Sequence, residues 1–93
     1  MINVNEYFDG NVKSLGYENA AGKSSVGVMA PGEYTFGTAA PEIMTVVEGS
    51  MEIKLKGERE WKTYKAGETF TVVGDSSFDL KITENTSYLC QYR

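Results

Sequence analysis

Histidine is absent from the 93 residues, and with it goes the side chain on which most transition-metal sites and most proton shuttles near neutral pH are built. Cysteine is almost absent as well. Cys90 stands alone, so no internal disulfide can form, and its setting in Tyr88-Leu89-Cys90 marks it as a small buried hydrophobe in a chain suited to a reducing compartment. Basic residues are in the minority, nine Lys and Arg against thirteen Asp and Glu, and a net charge of −4 offers no surface for displacing counterions from phosphates, so nucleic acid is excluded as a partner. No apolar run approaches membrane-spanning length, and Met1-Ile2-Asn3-Val4-Asn5-Glu6 lacks the basic start and apolar core of a secretory signal; a cytoplasmic location with no membrane partner is expected. Proline occurs only at Pro31 and Pro41, leaving most of the chain free for strand ladders.

What is present points one way. Ten glycines, ten Tyr and Phe besides Trp61, and recurrent Val, Ile and Thr favour short strands joined by tight turns. Period-two alternation is clearest where Met51, Ile53 and Leu55 alternate with Glu52, Lys54 and Lys56. Further strands are predicted near Val12–Leu15, Ser24–Ala30, Glu33–Thr38, Ile43–Glu48, Glu60–Tyr64, Thr69–Val73, Ser77–Thr83 and Ser87–Tyr92. Turn signals separate them, among them Pro31-Gly32, Glu48-Gly49, Ala66-Gly67 and Gly74-Asp75. Only Asn5–Phe8 reads as a helical turn. The expectation is a single all-β domain over residues 1–93, a sandwich or barrel, because a chain this short cannot bury two cores.

Two stretches narrow this to a cupin-type jelly-roll barrel. Glu42 is followed by Gly49 and then an alternating strand, which resembles the second half of the first cupin motif; Ala66-Gly67-Glu68-Thr69-Phe70-Thr71-Val72-Val73-Gly74 resembles the second motif. The histidines of metal-binding cupins would fall near Thr35 to Thr38 and near Phe78. Hydroxyls, a glycine and a phenyl ring stand there instead, and Glu42 alone cannot supply a metal's inner ligands, so a metal-free pocket is expected.

At the level of whole words the chain is similar to the pyrimidine/purine nucleoside phosphorylase family of small cupins. The matching words are Asn5-Glu6-Tyr7-Phe8, Val12-Lys13-Ser14, Ser25-Val26-Gly27-Val28-Met29, Gly32-Glu33-Tyr34-Thr35-Phe36, Pro41-Glu42 with Met44-Thr45-Val46, Ala66-Gly67, and Thr86-Ser87-Tyr88-Leu89-Cys90. The resemblance implies a cytoplasmic homodimer that cleaves purine and pyrimidine nucleosides with inorganic phosphate, releasing base and ribose 1-phosphate, with phosphate as co-substrate and no cofactor.

Phosphorolysis needs a phosphate cradle, a sugar clamp and support for the departing base, because its transition state carries ribosyl-cation character, as in glycoside hydrolysis. For phosphate, Lys23 follows a glycine-containing turn and opens a strand with Ser25; Lys13 is a second candidate, and amides at Gly37-Thr38 can form an anion nest with the Thr38 hydroxyl. The alternative for Lys23 is a solvated lysine at a strand entry. For the sugar, Glu42 is the acid that a cupin frame aims inward, with Thr35 beside it as a catalytic pair and Glu33 on the same face as Thr35. Glu42 can equally be a strand-start carboxylate bonding nearby amides. For the base, stacking on Phe78 and Tyr88, with Tyr34, Phe36 and Tyr92 in reserve, would tolerate many ring systems. Aromatics on such strands are also ordinary core. The chief rival is a non-catalytic cupin that binds a sugar or a nucleotide-like metabolite.

Overall fold

The computed structural model describes residues 1–93 and contains ten strands and no helix. They are β1 (Asn3–Tyr7), β2 (Val12–Asn19), β3 (Gly22–Met29), β4 (Gly32–Thr38), β5 (Glu42–Glu48), β6 (Ser50–Leu55), β7 (Lys62–Lys65), β8 (Thr69–Val72), β9 (Ser76–Ile82) and β10 (Thr86–Gln91). Two antiparallel sheets result, one of six strands in the order β1-β2-β3-β10-β5-β8 and one of four in the order β4-β9-β6-β7. The sheets are separate ladders. A single apolar cluster lies between them, with Val12, Met29, Met44, Val46, Phe70, Val72, Tyr88 and Cys90 from the larger sheet and Tyr34, Met51, Ile53, Phe78, Leu80 and Ile82 from the smaller. Each fully buried aliphatic side chain, such as Leu80 or Ile53, contributes about 1.5–3 kcal/mol.

One predicted element is wrong. Asn5–Phe8 is not a helical turn: Asn3–Tyr7 is an edge strand, paired from Asn3 opposite Gly16 to Tyr7 opposite Val12. The partner decides the matter, because the free edge of β2 over Val12–Gly16 is a ladder that β1 satisfies; β2 itself runs on to Asn19, four residues beyond its predicted end. The connection is tight: Phe8 and Asp9 take φ of 53° and 57° ahead of Gly10, and the Gly10 amide donates to Tyr7 O at 3.2 Å.

At the closed end of the core, Gly49 joins β5 to β6 with φ +94°, and a Cβ there would strike the Thr86 hydroxyl. That hydroxyl accepts from the Ser50 amide at 3.3 Å and faces the carbonyls of Ser50 and Glu84 at 3.0 and 2.9 Å. Thr86 is fully buried and fully bonded, so this end is sealed. No helix is long and apolar enough to cross a membrane.

Candidate active site

The other end of the core is open. Strand parity puts successive rows of the larger sheet's inner face side by side: Asn5, Ser14, Gly27 and Tyr88 in one row, and Asn3, Gly16, Ser25, Cys90 and Met44 in the next. Amides and hydroxyls therefore gather toward β1–β3 and apolar groups toward β5 and β8. Glu42, opposite Val72, and Tyr92 stand at the same end.

Two adjoining spaces follow from this gradient. The inner one, a chamber of about 230 Å³ between the sheets, is lined by Tyr7, Ser14, Met29, Phe36, Gly37, Glu42, Met44, Phe78, Tyr88, Cys90 and Tyr92. The outer one is an open polar vestibule of about 890 Å³, bordered by Met1, Asn3, Asn5, Gly16, Tyr17, Glu18, Asn19, Lys23, Ser24, Ser25 and Tyr92. Tyr92 belongs to both, and its hydroxyl lies 2.9 Å from Ser25 Oγ. The chamber contains one carboxylate and no lysine or arginine, whereas the vestibule contains Lys23, directly opposite Glu18 across the β2–β3 ladder.

Burial disfavours the charged forms of the chamber's titratable groups. Desolvation raises the Glu42 carboxyl above its ordinary value, opposed by the hydrogen bond that Cys90 Sγ donates to Glu42 Oε1 at 3.5 Å. Burial, then the neighbouring Glu42 carboxylate, pushes the Cys90 thiol up to about 12, so it is no nucleophile at neutral pH. Burial pushes Tyr92 to about 12, against the bond from Ser25, and drives Tyr88 further still, with Tyr92, Cys90 and Tyr7 adding to it and Ser14 opposing. No group of three or more Cys, Asp or Glu side chains converges to hold a metal ion.

The sequence-derived candidates divide between the two sides of the molecule. Glu42, Phe78 and Tyr88 line the chamber, and Lys23 and Ser25 border the vestibule. Thr35 and Glu33 do not join Glu42. They do share a face, as expected, but it is the outer one, because Tyr34 and Phe36 take the inward positions of β4; Thr35 Oγ1 donates to Asp79 Oδ1 at 2.8 Å on the far side of the sheet. Tyr34 is core rather than ligand-facing, with its hydroxyl donating to Ala30 O at 2.6 Å. Thr38 is buried, and its hydroxyl is spent as donor to Val73 O at 2.7 Å and acceptor from the Ser76 amide at 3.1 Å. Lys13 points outward and pairs with Glu6 at 3.6 Å. Sequence reasoning missed Tyr7 and Ser14 as lining residues. The signal for Ser14 was a hydroxyl at an inward position of β2, two residues from the fully buried Val12; Tyr7 became visible only once β1 was known to be a strand.

Two antiparallel sheets packed on one apolar cluster define the class, a cupin-like fold. An RmlC-like cupin from Shewanella frigidimarina superposes with a TM-score of 0.71 at 15% identity, over 96% of this chain and 80% of its own. The chain belongs to the pyrimidine/purine nucleoside phosphorylase family, whose model matches residues 2–92. A pyrimidine/purine nucleoside phosphorylase from Photobacterium profundum is 64% identical over 92 residues, covering 99% of both chains. A crystal structure of a protein of unknown function from Vibrio parahaemolyticus superposes with a TM-score of 0.97 at 55% identity, over 100% of this chain and 99% of that one.

Proposed function

We propose that the protein is a broad-specificity, metal-independent nucleoside phosphorylase, a pentosyltransferase that cleaves purine and pyrimidine nucleosides with orthophosphate to free base and ribose 1-phosphate. The observation that carries this reading is the juxtaposition at Tyr92: an aromatic, acid-bearing, cation-free chamber on one side and a lysine-bearing polar vestibule on the other. A volume of about 230 Å³ falls below the roughly 300–1,000 Å³ of pockets that hold whole small molecules. The chamber therefore takes the flat base, stacked against Phe36 and Phe78 with Tyr88 at its edge, and leaves ribose and phosphate at its mouth.

Each required part then has a source. The face of any base can stack on phenyl and phenol rings without its edge being read, which supports breadth. Glu42 sits where the base-bearing end meets the mouth, so its carboxylate can bond ribose hydroxyls and offset positive charge developing on the anomeric carbon. Lys23, with Ser25 and the Asn3 and Asn5 amides nearby, receives phosphate on the vestibule side. No step calls for a redox or Lewis-acid group.

The test is base release from uridine and inosine with and without orthophosphate, in the presence and absence of chelator. Release that requires phosphate and ignores chelation supports the proposal; release without phosphate, or none at all, rejects it. One observation favours a second reading, the non-catalytic sugar or metabolite binder: the chamber's freedom from cations suits a neutral ligand. Saturable nucleoside binding without cleavage would establish that reading.

We further propose a cytoplasmic homodimer formed through the outer face of the larger sheet. Val4, Leu15, Val26 and Leu89 stand in one cross-strand row there, and Val4, Leu15, Val26 and the adjacent Val28 are between 39% and 70% exposed. An uncharged row of this kind can pack on a second copy of itself across a two-fold axis.

A further inference from the structure

Tyr88 occupies its place only because residue 27 has no side chain. Ser14, Gly27 and Tyr88 stand opposite one another on β2, β3 and β10. Neighbouring strands lie about 4.8 Å apart, so a phenol rooted on β10 meets β2 only by lying across β3. It does so: a Cβ built on Gly27 would stand 2.5 Å from the Tyr88 hydroxyl oxygen and 2.6 Å from its ζ carbon, closer than real contacts come. Gly27 does not have a left-handed backbone, so the glycine serves the ring and not a turn. The ring's other flank is irregular as well. The β10–β5 register slips between Ser87 and Tyr88, leaving Val47 as an extra residue that bends β5 beside the same side chain. The phenol and Ser14 line the chamber together.

We infer that Gly27 is a positioning residue: by leaving β3 bare it lets Tyr88 lie across the sheet and donate a hydrogen bond to the nucleobase as that base departs. The inference rests on the phosphorylase reading above and names the group that serves its leaving base. As the bond from phosphate oxygen to the anomeric carbon forms and the glycosidic C–N bond breaks, the nitrogen takes the electron pair. The proton lost by hydrogenphosphate ends on the free base. Tyr88 keeps its own proton throughout, in keeping with burial that disfavours the phenolate, and stabilises the charge gathering on the base.

The test compares uridine with 4-nitrophenyl β-riboside, whose leaving group needs no donor. Tyr88→Phe and Gly27→Ala should each lower kcat on uridine by about 100-fold and kcat on the nitrophenyl substrate by at least about tenfold less than that, and the double variant should be no worse than Tyr88→Phe. Uridine turnover unchanged in Gly27→Ala, or equal losses on the two substrates, overturns the inference. Should Gly27→Ala fail to fold, adding Tyr88→Ala removes the ring that the new methyl strikes and is expected to restore a cooperative melt; continued failure to fold overturns the assignment. A wild-type protein inactive on every nucleoside rejects the phosphorylase reading and this inference with it, whereas an active wild type beside an unaffected Gly27→Ala rejects the inference alone.

Discussion

The two sheets enclose the chamber on unequal terms. The smaller sheet turns Tyr34, Phe36, Phe78, Leu80 and Ile82 inward, all rings or aliphatic chains, whereas every carboxyl, thiol and serine that faces the chamber comes from the larger sheet. Apart from Thr38, whose hydroxyl is spent on backbone groups, the hydrophilic side chains of the smaller sheet are mainly on its outer side, where Thr35 bonds Asp79 and the ammonium groups of Lys54 and Lys81 lie 5.2 and 4.2 Å from the Trp61 ring. One wall thus carries the ionisable and hydrogen-bonding groups and the other presents flat apolar surfaces. In the proposed reaction the first would orient the ligand and the second desolvate it.

Substitutions on the two walls should therefore fail differently. The largest kinetic effect is expected from Glu42→Ala, which should lower kcat by more than about tenfold in a protein that still melts cooperatively; steady-state phosphorolysis paired with a thermal melt checks both halves. Phe78→Ala should instead act first through stability, costing about 3–5 kcal/mol in denaturant titrations, because a ring that is 3% exposed leaves a cavity when removed. Lys23→Ala should raise the KM for phosphate about three- to tenfold and leave the KM for nucleoside near its original value. Thr35→Ala, on the outer side of the smaller sheet, should change kcat/KM by less than about twofold; a Glu42-sized loss there would dissolve the contrast between the walls.

The pH dependence of folding sharpens the same contrast. Burial raises the Glu42 carboxyl in the folded state, so the native protein holds a proton that the unfolded chain has already lost, and stability falls as pH rises from the ordinary glutamate range through the raised value. Glu42→Gln should thus melt higher than wild type at neutral pH, and the advantage should vanish below the ordinary glutamate range, where both side chains are neutral. Melting curves across that window read the sign directly.

Much of the fold was legible because burial alternates with period two wherever one face meets the core: Met51 and Ile53 are buried and Lys54 is not, as the sequence pattern requires. Strand β1 escaped because Asn3, Asn5 and Glu6, most of its length, are residue types depleted in strands, and the β2 ladder, not local propensity, makes them extended. Among the residues that line the chamber, Glu42 and Phe78 were readable from motif position and Tyr88 as one of several strand aromatics. Thr35 and Glu33 were misplaced by one step of strand parity: the aromatic pair Tyr34 and Phe36 competes for the inward positions of β4 and wins them by area buried. Thr38 was legible as an inward hydroxyl, yet its bonds to Val73 and Ser76 depend on a loop that no local pattern could place.

The most direct measurement is a crystal structure of the protein soaked with orthophosphate and hypoxanthine. The base is expected against Phe78 with its edge within reach of the Tyr88 hydroxyl, and phosphate beside Lys23 on the vestibule side of Tyr92. Density for either ligand against Thr35 and Trp61 on the outer face of the smaller sheet, with the chamber filled only by water, would contradict the assignment of chemistry to the six-stranded wall.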